Sequence, residues 1–296
     1  MSSHQFGGRW TEEKLERLRK YLVAYTTIFK SNERASYLRT SFVDAFAGTG
    51  TFTMTRDTND ALLTHSTDVY DEEAQSFQKG SAQIAIEVEP SFDQYLFVEK
   101  KAAHIHELEK LRSQFPNKAD QIKIVQGDAN VVLKEWCQQT DWHTNRAVVF
   151  LDPYGMAVEW RTIEAIAHTQ AADLWILFPL GQAVNRLLTR SGPPSGAWAE
   201  RLTQFFGTEE WKEAFYRPRQ QLSLFDTEET LEKGVNLGGI GQYFVDRLST
   251  IFAQVAENPL PLRNSRNVPI YLLCFAAANP KGAPTAVKIA QHILRR

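Results

Sequence analysis

Four acidic residues of the chain each follow a short apolar stretch that is predicted to form a strand. They are Asp44, Glu99, Asp128 and Asp152. The carboxyl ends of parallel strands meet at one edge of a sheet, where open α/β folds bind their ligands. Carboxylates accept hydrogen bonds from hydroxyl, amino and ammonium groups. We therefore expect the four side chains to converge on a single ligand-binding crevice.

The segment 44–50, which reads DAFAGTG, adds two glycines to the first of these acids. Gly48 and Gly50 let the backbone approach a ligand closely, because glycine has no side chain and adopts conformations closed to other residues. The segment is not the dinucleotide-binding G-x-G-x-x-G, since Thr53 stands at the third glycine. It is not a phosphate-binding loop either, since no Gly-Lys-Ser/Thr follows. The alternative is a plain glycine turn between a strand and a helix.

Glu99 could accept both hydroxyls of a ribose from its strand end. It lies 55 residues after Asp44, whereas about 20 residues separate the corresponding positions of dinucleotide-binding folds. The polar and acidic segment 51–80 is therefore predicted to be an insertion. Asp128 stands in a Gly-Asp turn after the next predicted strand. The alternatives are a solvated acid beside Lys100 for Glu99 and an ordinary turn for Asp128.

The segment 44–50 resembles the corresponding motif of S-adenosylmethionine-dependent methyltransferases, especially those that act on amino groups of nucleic acids. The resemblance covers roughly residues 41–180. It implies a Rossmann-like fold and S-adenosylmethionine as the cofactor. The implied cofactor site has Gly48 and Gly50 beside the methionine half, Asp44 near its amino group, Glu99 at the ribose and Asp128 at the adenine amino group, together with Phe46, Ala47 and Ala129.

Asp152, Pro153 and Tyr154 occupy the position where amino methyltransferases carry Asp/Asn-Pro-Pro-Tyr/Phe. The exocyclic amine of a base is a poor nucleophile while its lone pair is conjugated with the ring. A carboxylate and a backbone carbonyl that accept its two hydrogens raise the electron density on nitrogen and orient it. An aromatic side chain then stacks on a base flipped out of the helix. The second proline is absent, and the alternative is an Asp-Pro turn that ends a strand.

The whole chain also resembles a narrower family, the three-Cys-motif partner proteins (TcmP). The residues that carry the resemblance are the segments 44–50, 97–99, 151–155, 178–181 and 271–275, with Gly80, Ser81, Trp160, Lys281 and Gly282. It implies a bacterial protein that acts beside a small companion protein with a three-cysteine motif. Two functions follow: a methyltransferase acting on an amino group of a nucleic-acid base, or a non-catalytic accessory partner that keeps the fold and serves the companion.

A separate motif, QLSLF, occupies residues 221–225. It matches the Q-L-[SD]-L-F peptide by which many bacterial replication and repair proteins bind the sliding clamp. Leu222, Leu224 and Phe225 would supply the apolar contacts, with Leu224 and Phe225 entering a pocket, and Gln221 would fix the orientation by hydrogen bonds. The alternative is a loop whose apolar residues dock on the core of this chain.

Strands alternating with helices predict a Rossmann-like α/β fold with a mostly parallel sheet and helices on both faces. The predicted strands are 41–46, 94–99, 122–125, 147–151, 174–178 and 270–276, and the predicted helices are 11–30, 81–88, 104–115, 131–138, 160–168 and 285–296, with 182–216 and 237–256 as a helical insertion before the sixth strand. The expected divisions are an N-terminal helical segment (1–40), the cofactor-binding core (41–181), the insertion as a substrate or partner region (182–257) and a C-terminal strand and helix (258–296). The seventh strand of the fold has no evident place.

Composition excludes several other classes of protein. Hydrophobic residues make up 43% and charged residues 23% of the 296-residue chain, and no apolar run approaches the roughly 20 residues that span a bilayer. Two cysteines and no signal-like N-terminus favour the cytoplasm, and no metal-binding spacing is found, so no metal is expected. Residues 1–39 carry net charge +4 and residues 259–296 carry +6, which leaves −12 for the middle of a chain with net charge −2. These basic ends could form a surface for a polyanion if the fold brings them together, or they are solvated helix faces.

Overall fold

The computed structural model describes residues 9–48, 80–219 and 231–295. Its centre is an eight-stranded sheet in the order β3-β2-β1-β4-β5-β10-β8, with β9 also paired to β10. The first five strands in the chain are β1 (Arg39–Asp44), β2 (Gln94–Glu99), β3 (Ile122–Gln126), β4 (Asn145–Leu151) and β5 (Ala172–Phe178). They pair in parallel. The chain runs from β1 outward to β3 and returns to β4 on the other side of β1, so the crossover point of the sheet lies between β1 and β4.

Helices cover both faces of this sheet, as the sequence predicts. One face carries α1 (Arg9–Ser31), α2 (80–87), α3 (Ala102–Ser113) and α10 (Ala283–Leu294). The other carries α4 (Ala129–Gln139), α5 (Trp160–His168), the single turn α6 (Asn185–Leu187), α7 (Ala197–Phe206), α8 (Trp211–Phe215) and α9 (Leu237–Ser249). Successive strand side chains alternate between the two cores: Val43 faces the α4 side and Phe42 the α1 side. Both faces are apolar because both are covered.

The strand predicted as the sixth is β10 (Pro269–Ala277), and it runs antiparallel to β5. Its outer side pairs with two short strands, β8 (Gln254–Val255) and β9 (Leu260–Arg263), which are antiparallel to it. Among the described strands of the main sheet, β10 is thus the one that runs against the rest. β8 and β9 together occupy the outermost position. The seventh strand, which could not be placed from the sequence, therefore corresponds to β8 and β9, two segments too short to show a periodicity.

The segment after β5 is less helical than predicted. It begins with a π-helical turn, Leu180–Val184, and the helical prediction for 182–216 fails over residues 188–196, where Gly192, Pro193, Pro194 and Gly196 stop a helix. The predicted helix 237–256 ends at Ser249. A two-stranded ribbon of β6 (Tyr216–Pro218) and β7 (Leu231–Lys233) joins α8 to α9.

The residues 182–257 nevertheless share the core of the sheet. Phe178, the last residue of β5, stacks on Phe244 of α9 with ring centroids 4.3 Å apart. Phe205 of α7 lies 5.7 Å from both of these rings. The helices of this segment are therefore held to the sheet by a continuous aromatic cluster.

The fold brings the two basic ends of the chain together. Helices α1 and α10 pack side by side on the same face of the sheet. Arg17 Nη1 donates hydrogen bonds to the carbonyl oxygens of Ile293 (2.5 Å) and Arg295 (3.0 Å). The condition set above for a polyanion-facing surface is thus met by the topology.

Some sequence predictions lie outside the described residues: Gly50, the body of the insertion 51–80, and the clamp-like motif 221–225 with Gln221, Leu222, Leu224 and Phe225. Within the described ranges, no helix combines the length and the apolar character needed to cross a bilayer.

Gly181 fixes how the segment after β5 meets β10. A Cβ atom at this position would lie 2.4 Å from the carbonyl oxygen of Pro269 and 3.3 Å from Cα of Ile270. Because both neighbours are backbone, we expect Gly181→Ala to lower the free energy of unfolding by about 1–3 kcal/mol. Urea denaturation followed by circular dichroism measures this.

Gly282→Ala is the matched control, because its Cβ would find its nearest neighbour at 3.6 Å, an ordinary contact. Equal stability of the two variants would show that the close packing of Gly181 on β10 does not stabilise the fold.

Candidate functional site

The turn after β1 is shaped by hydrogen bonds to its own carboxylate and to β2. The N–H of Phe46 donates to Asp44 Oδ1 (3.2 Å), and the N–H of Ala47 donates to the carbonyl oxygen of Val98 (3.1 Å). Gly48 then adopts φ +60°, a conformation that costs other residues energy. The glycine turn predicted at the end of β1 is thus present, and the close approach of a ligand to its backbone stays a prediction.

Asp44 is completely buried at the centre of this turn. Its Oδ2 accepts a hydrogen bond from Ser81 Oγ of α2 at 2.7 Å. Burial raises the pKa of Asp44 from 3.8 to about 7, although the hydrogen bonds from Ser81 and Phe46 lower it, and the nearby charges of Asp152 and Glu99 raise it further. Asp44 therefore shapes the turn and its electrostatic potential from within the protein.

Glu99 binds the turn of β1 to the end of β2. Its Oε2 accepts the N–H of Gly48 at 3.0 Å. Its Oε1 accepts the N–H groups of Lys100 and Lys101, both at 2.9 Å, and lies 3.4 Å from His104 Nδ1. The side chain retains 12% exposure. These donors make Glu99 a fixed carboxylate rather than a freely solvated surface acid.

Asp128 caps the N-terminus of α4, which begins at the buried Ala129. Asp128 Oδ1 accepts the N–H of Asn130 at 3.0 Å, and Oδ2 lies 3.9 Å from Nζ of Lys100. Its side chain is 47% exposed, and the N–H of Gly127 donates to the carbonyl oxygen of Glu99. Asp128 and Glu99 therefore lie on the same rim of the sheet, with one Asp128 oxygen used by the helix.

Asp152 and Tyr154 have opposite environments at the end of β4. Asp152 is 5% exposed and Pro153 is buried, whereas Tyr154 is 59% exposed. Burial raises the pKa of Asp152 from 3.8 to about 6, and the positive charge of Lys14 opposes this shift. Gly155 follows at φ +58° with open space where a Cβ would stand. The segment thus combines a sheltered carboxylate with an aromatic ring on the surface.

Asn130 fixes this segment against α4 and α5. Its Nδ2 donates to the carbonyl oxygen of Ala157 (2.9 Å), and its Oδ1 accepts from the N–H of Glu159 (2.9 Å) and the hydroxyl of Thr162 (2.8 Å). The ends of β3 and β4 are therefore coupled through one buried amide side chain.

Two buried residues at this edge escaped sequence reasoning. Lys14 of α1 is 1% exposed, with its Nζ 5.7 Å from the ring centroid of Tyr271. Its position four residues before Leu18 places it on the apolar stripe of α1, which is the signal that could have identified it. Ser81 is likewise 1% exposed, and the sequence offered it only as part of a family resemblance.

The structure brings Asp44, Glu99 and Asp152 to one edge of the sheet. Asp44 pairs with Phe97 of β2 and Phe150 of β4, so Glu99 and Asp152 each follow two residues later on the strands that flank β1. Phe46 is partly buried against the core, and Ala47 and Ala129 are buried. Among the residues it describes, the carboxyl edge of β1, β2 and β4 therefore forms an acidic site bounded by Asp128 and Tyr154.

No family model and no curated protein matches the sequence. Three similar solved structures are protein LPL1258 of Legionella pneumophila, from family DUF519, the N-terminal domain of EvdMO1 in the presence of SAH and D-fucose, and TYW2 of M. jannaschii in complex with AdoMet. The first is 12% identical over 98% of this chain and 92% of its own, with a TM-score of 0.49. The second is 9% identical over 93% and 84%, at 0.35, and the third is 11% identical over 78% and 79%, at 0.27. Likeness at this level says nothing about activity.

The buried carboxyl of Asp44 makes stability depend on pH. Because its pKa is about 7 in the folded protein and near 3.9 in an unfolded chain, the folded state holds a proton that the unfolded state has lost between these values. The free energy of unfolding therefore falls as pH rises through this range. Asp44→Asn removes this dependence. As pH rises from 5 to 8, we therefore expect the free energy of unfolding of the variant to increase relative to that of the wild type by on the order of 2 kcal/mol.

Urea denaturation at a series of pH values measures this difference. Asp141→Asn is the control. The hydrogen bonds of Thr144 and His143 lower the pKa of Asp141, so this side chain is ionised in both the folded and the unfolded protein throughout the range. A difference between Asp44→Asn and wild type that stays constant from pH 5 to 8 would contradict the burial of Asp44.

Proposed function

We propose that the protein is an S-adenosylmethionine-dependent methyltransferase that acts on an amino group of a nucleic-acid base. The observation that carries the proposal is that Asp44, Glu99 and Asp152 lie at the ends of three neighbouring parallel strands, beside the crossover point of the sheet, with Glu99 hydrogen-bonded to the turn that follows Asp44. This is where open α/β sheets bind nucleosides. A bound cation would stabilise the ionised forms of these acidic groups in a low-dielectric site, and a sulfonium compound with an ammonium group is such a cation.

The described donor set fits this cofactor. Glu99 Oε2, which accepts the N–H of Gly48, keeps a second lone pair that can accept a ribose hydroxyl. Asp128 is half exposed on the adjacent strand end and can accept from an adenine amino group. Asp44 is covered by Ser81, so it would act on the methionine ammonium through its charge or through an intervening water. The backbone of Gly48 adjoins this donor set through its hydrogen bond to Glu99.

Asp152 and Tyr154 supply the chemistry expected at the substrate side. When bound, S-adenosylmethionine supplies a methyl group on a positively charged sulfur. The carboxylate of Asp152 would accept hydrogen bonds from the target amine and the proton that the amine loses, and the positive charge of Lys14 favours its ionised form. The exposed ring of Tyr154 would stack on the base. Most of the gain is orientation and electrostatic stabilisation.

A second candidate is an accessory protein that binds the cofactor or keeps its fold and serves a three-cysteine-motif companion, as the TcmP resemblance implies. The observation that favours it is the 5% exposure of Asp152, together with the missing second proline. A carboxylate so sheltered reaches an amine only if the base enters the protein or the surrounding segment moves.

Isothermal titration calorimetry with S-adenosylmethionine and S-adenosylhomocysteine tests cofactor binding. Glu99→Gln keeps the size of the side chain but removes its charge and half of its capacity to accept hydrogen bonds. We expect its affinity to fall about tenfold or more, the usual cost of a lost hydrogen bond to a charged group. Glu109→Gln, on the exposed surface of α3, is the control and should bind as the wild type does. A folded wild-type protein that binds neither compound would reject the proposal.

Transfer of tritiated methyl groups to DNA, RNA and companion protein separates the two candidates. We expect Asp152→Ala to reduce transfer to nucleic acid by about 100-fold or more, as removal of a preorganised polar group does. Tyr154→Ala should weaken transfer, whereas Tyr37→Ala, which removes another exposed tyrosine, should leave it unchanged. If the wild type and Asp152→Ala give the same background on every substrate, the methyltransferase proposal is rejected and the accessory function is favoured.

A further inference from the structure

Basic residues follow β5 where the chain leaves the carboxyl edge of the sheet. Between residues 174 and 199 the sequence contains no acid, and its two charged residues are Arg186 and Arg190. Both are exposed. They stand in the segment next to the turn of β4 that carries Tyr154, because β5 is the neighbour of β4 in the sheet.

The ribbon adds a lysine to this segment. The N–H of Lys233 donates to the carbonyl oxygen of Arg190 at 3.1 Å, and its Nζ donates to Asn185 Oδ1 at 2.6 Å. Burial lowers the pKa of Lys233, and the positive charge of Arg190 lowers it further. Two cations are thus held close enough to repel each other, an arrangement that a bound anion would stabilise.

The turn between β9 and β10 places two more arginines at the same edge. Arg263 pairs with Pro269 at the start of β10, and Leu272 pairs with Phe178 at the end of β5. Since β10 runs antiparallel to β5, this turn lies at the carboxyl edge of the parallel strands. Arg263 Nη1 donates to the carbonyl oxygen of Asn267 (2.8 Å), which closes the turn that presents the exposed Arg266.

The turn between β9 and β10 and the segment after β5 are in direct contact. Gly181 leaves no room for a Cβ against the carbonyl oxygen of Pro269. Within the described part of the chain, no ion pair involves Arg190, Lys233, Arg263 or Arg266. The nearby Glu232 pairs with Arg217 at 3.1 Å. Ion pairs within the described structure therefore leave the positive charges of these four residues unneutralised.

The spacing suits a nucleic-acid backbone. Strands lie about 4.8 Å apart, so β10 is roughly 10 Å from β4, whose turn carries Tyr154. This is the scale of a few nucleotides, since successive base pairs of a duplex lie about 3.4 Å apart along its axis. Phosphates flanking a base at Tyr154 would reach the arginines after β5 and before β10.

We infer that Arg186, Arg190, Lys233, Arg263 and Arg266 form a basic edge that binds the phosphates of a nucleic-acid substrate. The position of the target base at Tyr154 rests on the proposed function, whereas the arrangement of the basic residues is independent of it. Phosphate contacts of this kind orient the substrate without reading its sequence.

Fluorescence anisotropy of the full chain with a labelled 20-nucleotide DNA, the same RNA and the DNA duplex tests the inference across a salt series. Arg190→Gln/Arg266→Gln removes two charges from the basic edge. Each lost phosphate contact lowers the slope of log affinity against log salt by about 0.7–0.9. We expect the slope to fall by about two contacts and the affinity to fall at least about tenfold at low salt.

The control Lys110→Gln/Lys123→Gln removes the same charge from α3 and β3, on the opposite side of the sheet, and should retain wild-type affinity and slope. Both variants are compared by thermal unfolding and by calorimetry with S-adenosylmethionine. Equal losses in the two variants, or no binding of any nucleic acid by the wild type, would overturn the basic edge. Competition by polyglutamate as effective as that by nucleic acid would also overturn it and assign the surface to an acidic protein.

These outcomes are independent of the cofactor. Cofactor binding without nucleic-acid binding rejects the basic edge and leaves methyl transfer to another substrate. Nucleic-acid binding that depends on the basic edge, without cofactor binding, supports the edge and rejects the proposed function.

Discussion

Burial of Asp44 and Asp152, at the ends of neighbouring parallel strands and beside Glu99, is the constraint on which the rest of this edge depends. Parallel strands deliver them to one place, and burial weakens the screening that water would provide. Each is offset by a different partner: Ser81 donates to Asp44, the Gly48 N–H donates to Glu99, and the charge of a buried lysine acts on Asp152. Ser81 belongs to α2 and the buried lysine, Lys14, to α1, and both helices pack on the same face of the sheet. The electrostatics of the site and the packing of these two helices are therefore linked.

The sequence predicts the strand ends well because two signals coincide there. Apolar runs that are buried on both faces stop at an acid, so β2 and β4 end where the sequence predicts, at Glu99 and just before Asp152. The first strand ends at Asp44, two residues before its predicted end, because the turn begins at the buried carboxylate. Short strands lack such a signal. Gln254–Val255 forms β8 only because it meets β10, a partner that no local periodicity can reveal, and Pro193 with its neighbours interrupts a run whose apolar content alone suggested helix.

The environment of a predicted side chain was harder to foresee than its position. Asp44 was expected at the cofactor, yet the structure buries it completely beneath Ser81. That outcome depends on α2, which returns to the sheet only after residues 49–79. The role of Lys14 was equally hard to predict. A lysine on the apolar face of a helix can be interpreted only when its neighbours are known, and here its positive charge interacts with Asp152.

The difference in solvent exposure between Asp152 and Tyr154 restricts how a substrate base can bind. A ring that is 59% exposed can receive a base from solvent, whereas a carboxylate that is 5% exposed cannot reach an amine outside the protein. Two residues of extended chain span at most about 7 Å, so the backbones of Asp152 and Tyr154 lie within that distance. A base stacked on Tyr154 therefore has to turn its amine inward. A nucleic-acid backbone bound by Arg190, in the segment after β5, and by Arg266, in the turn between β9 and β10, would supply the fixed point for that rotation.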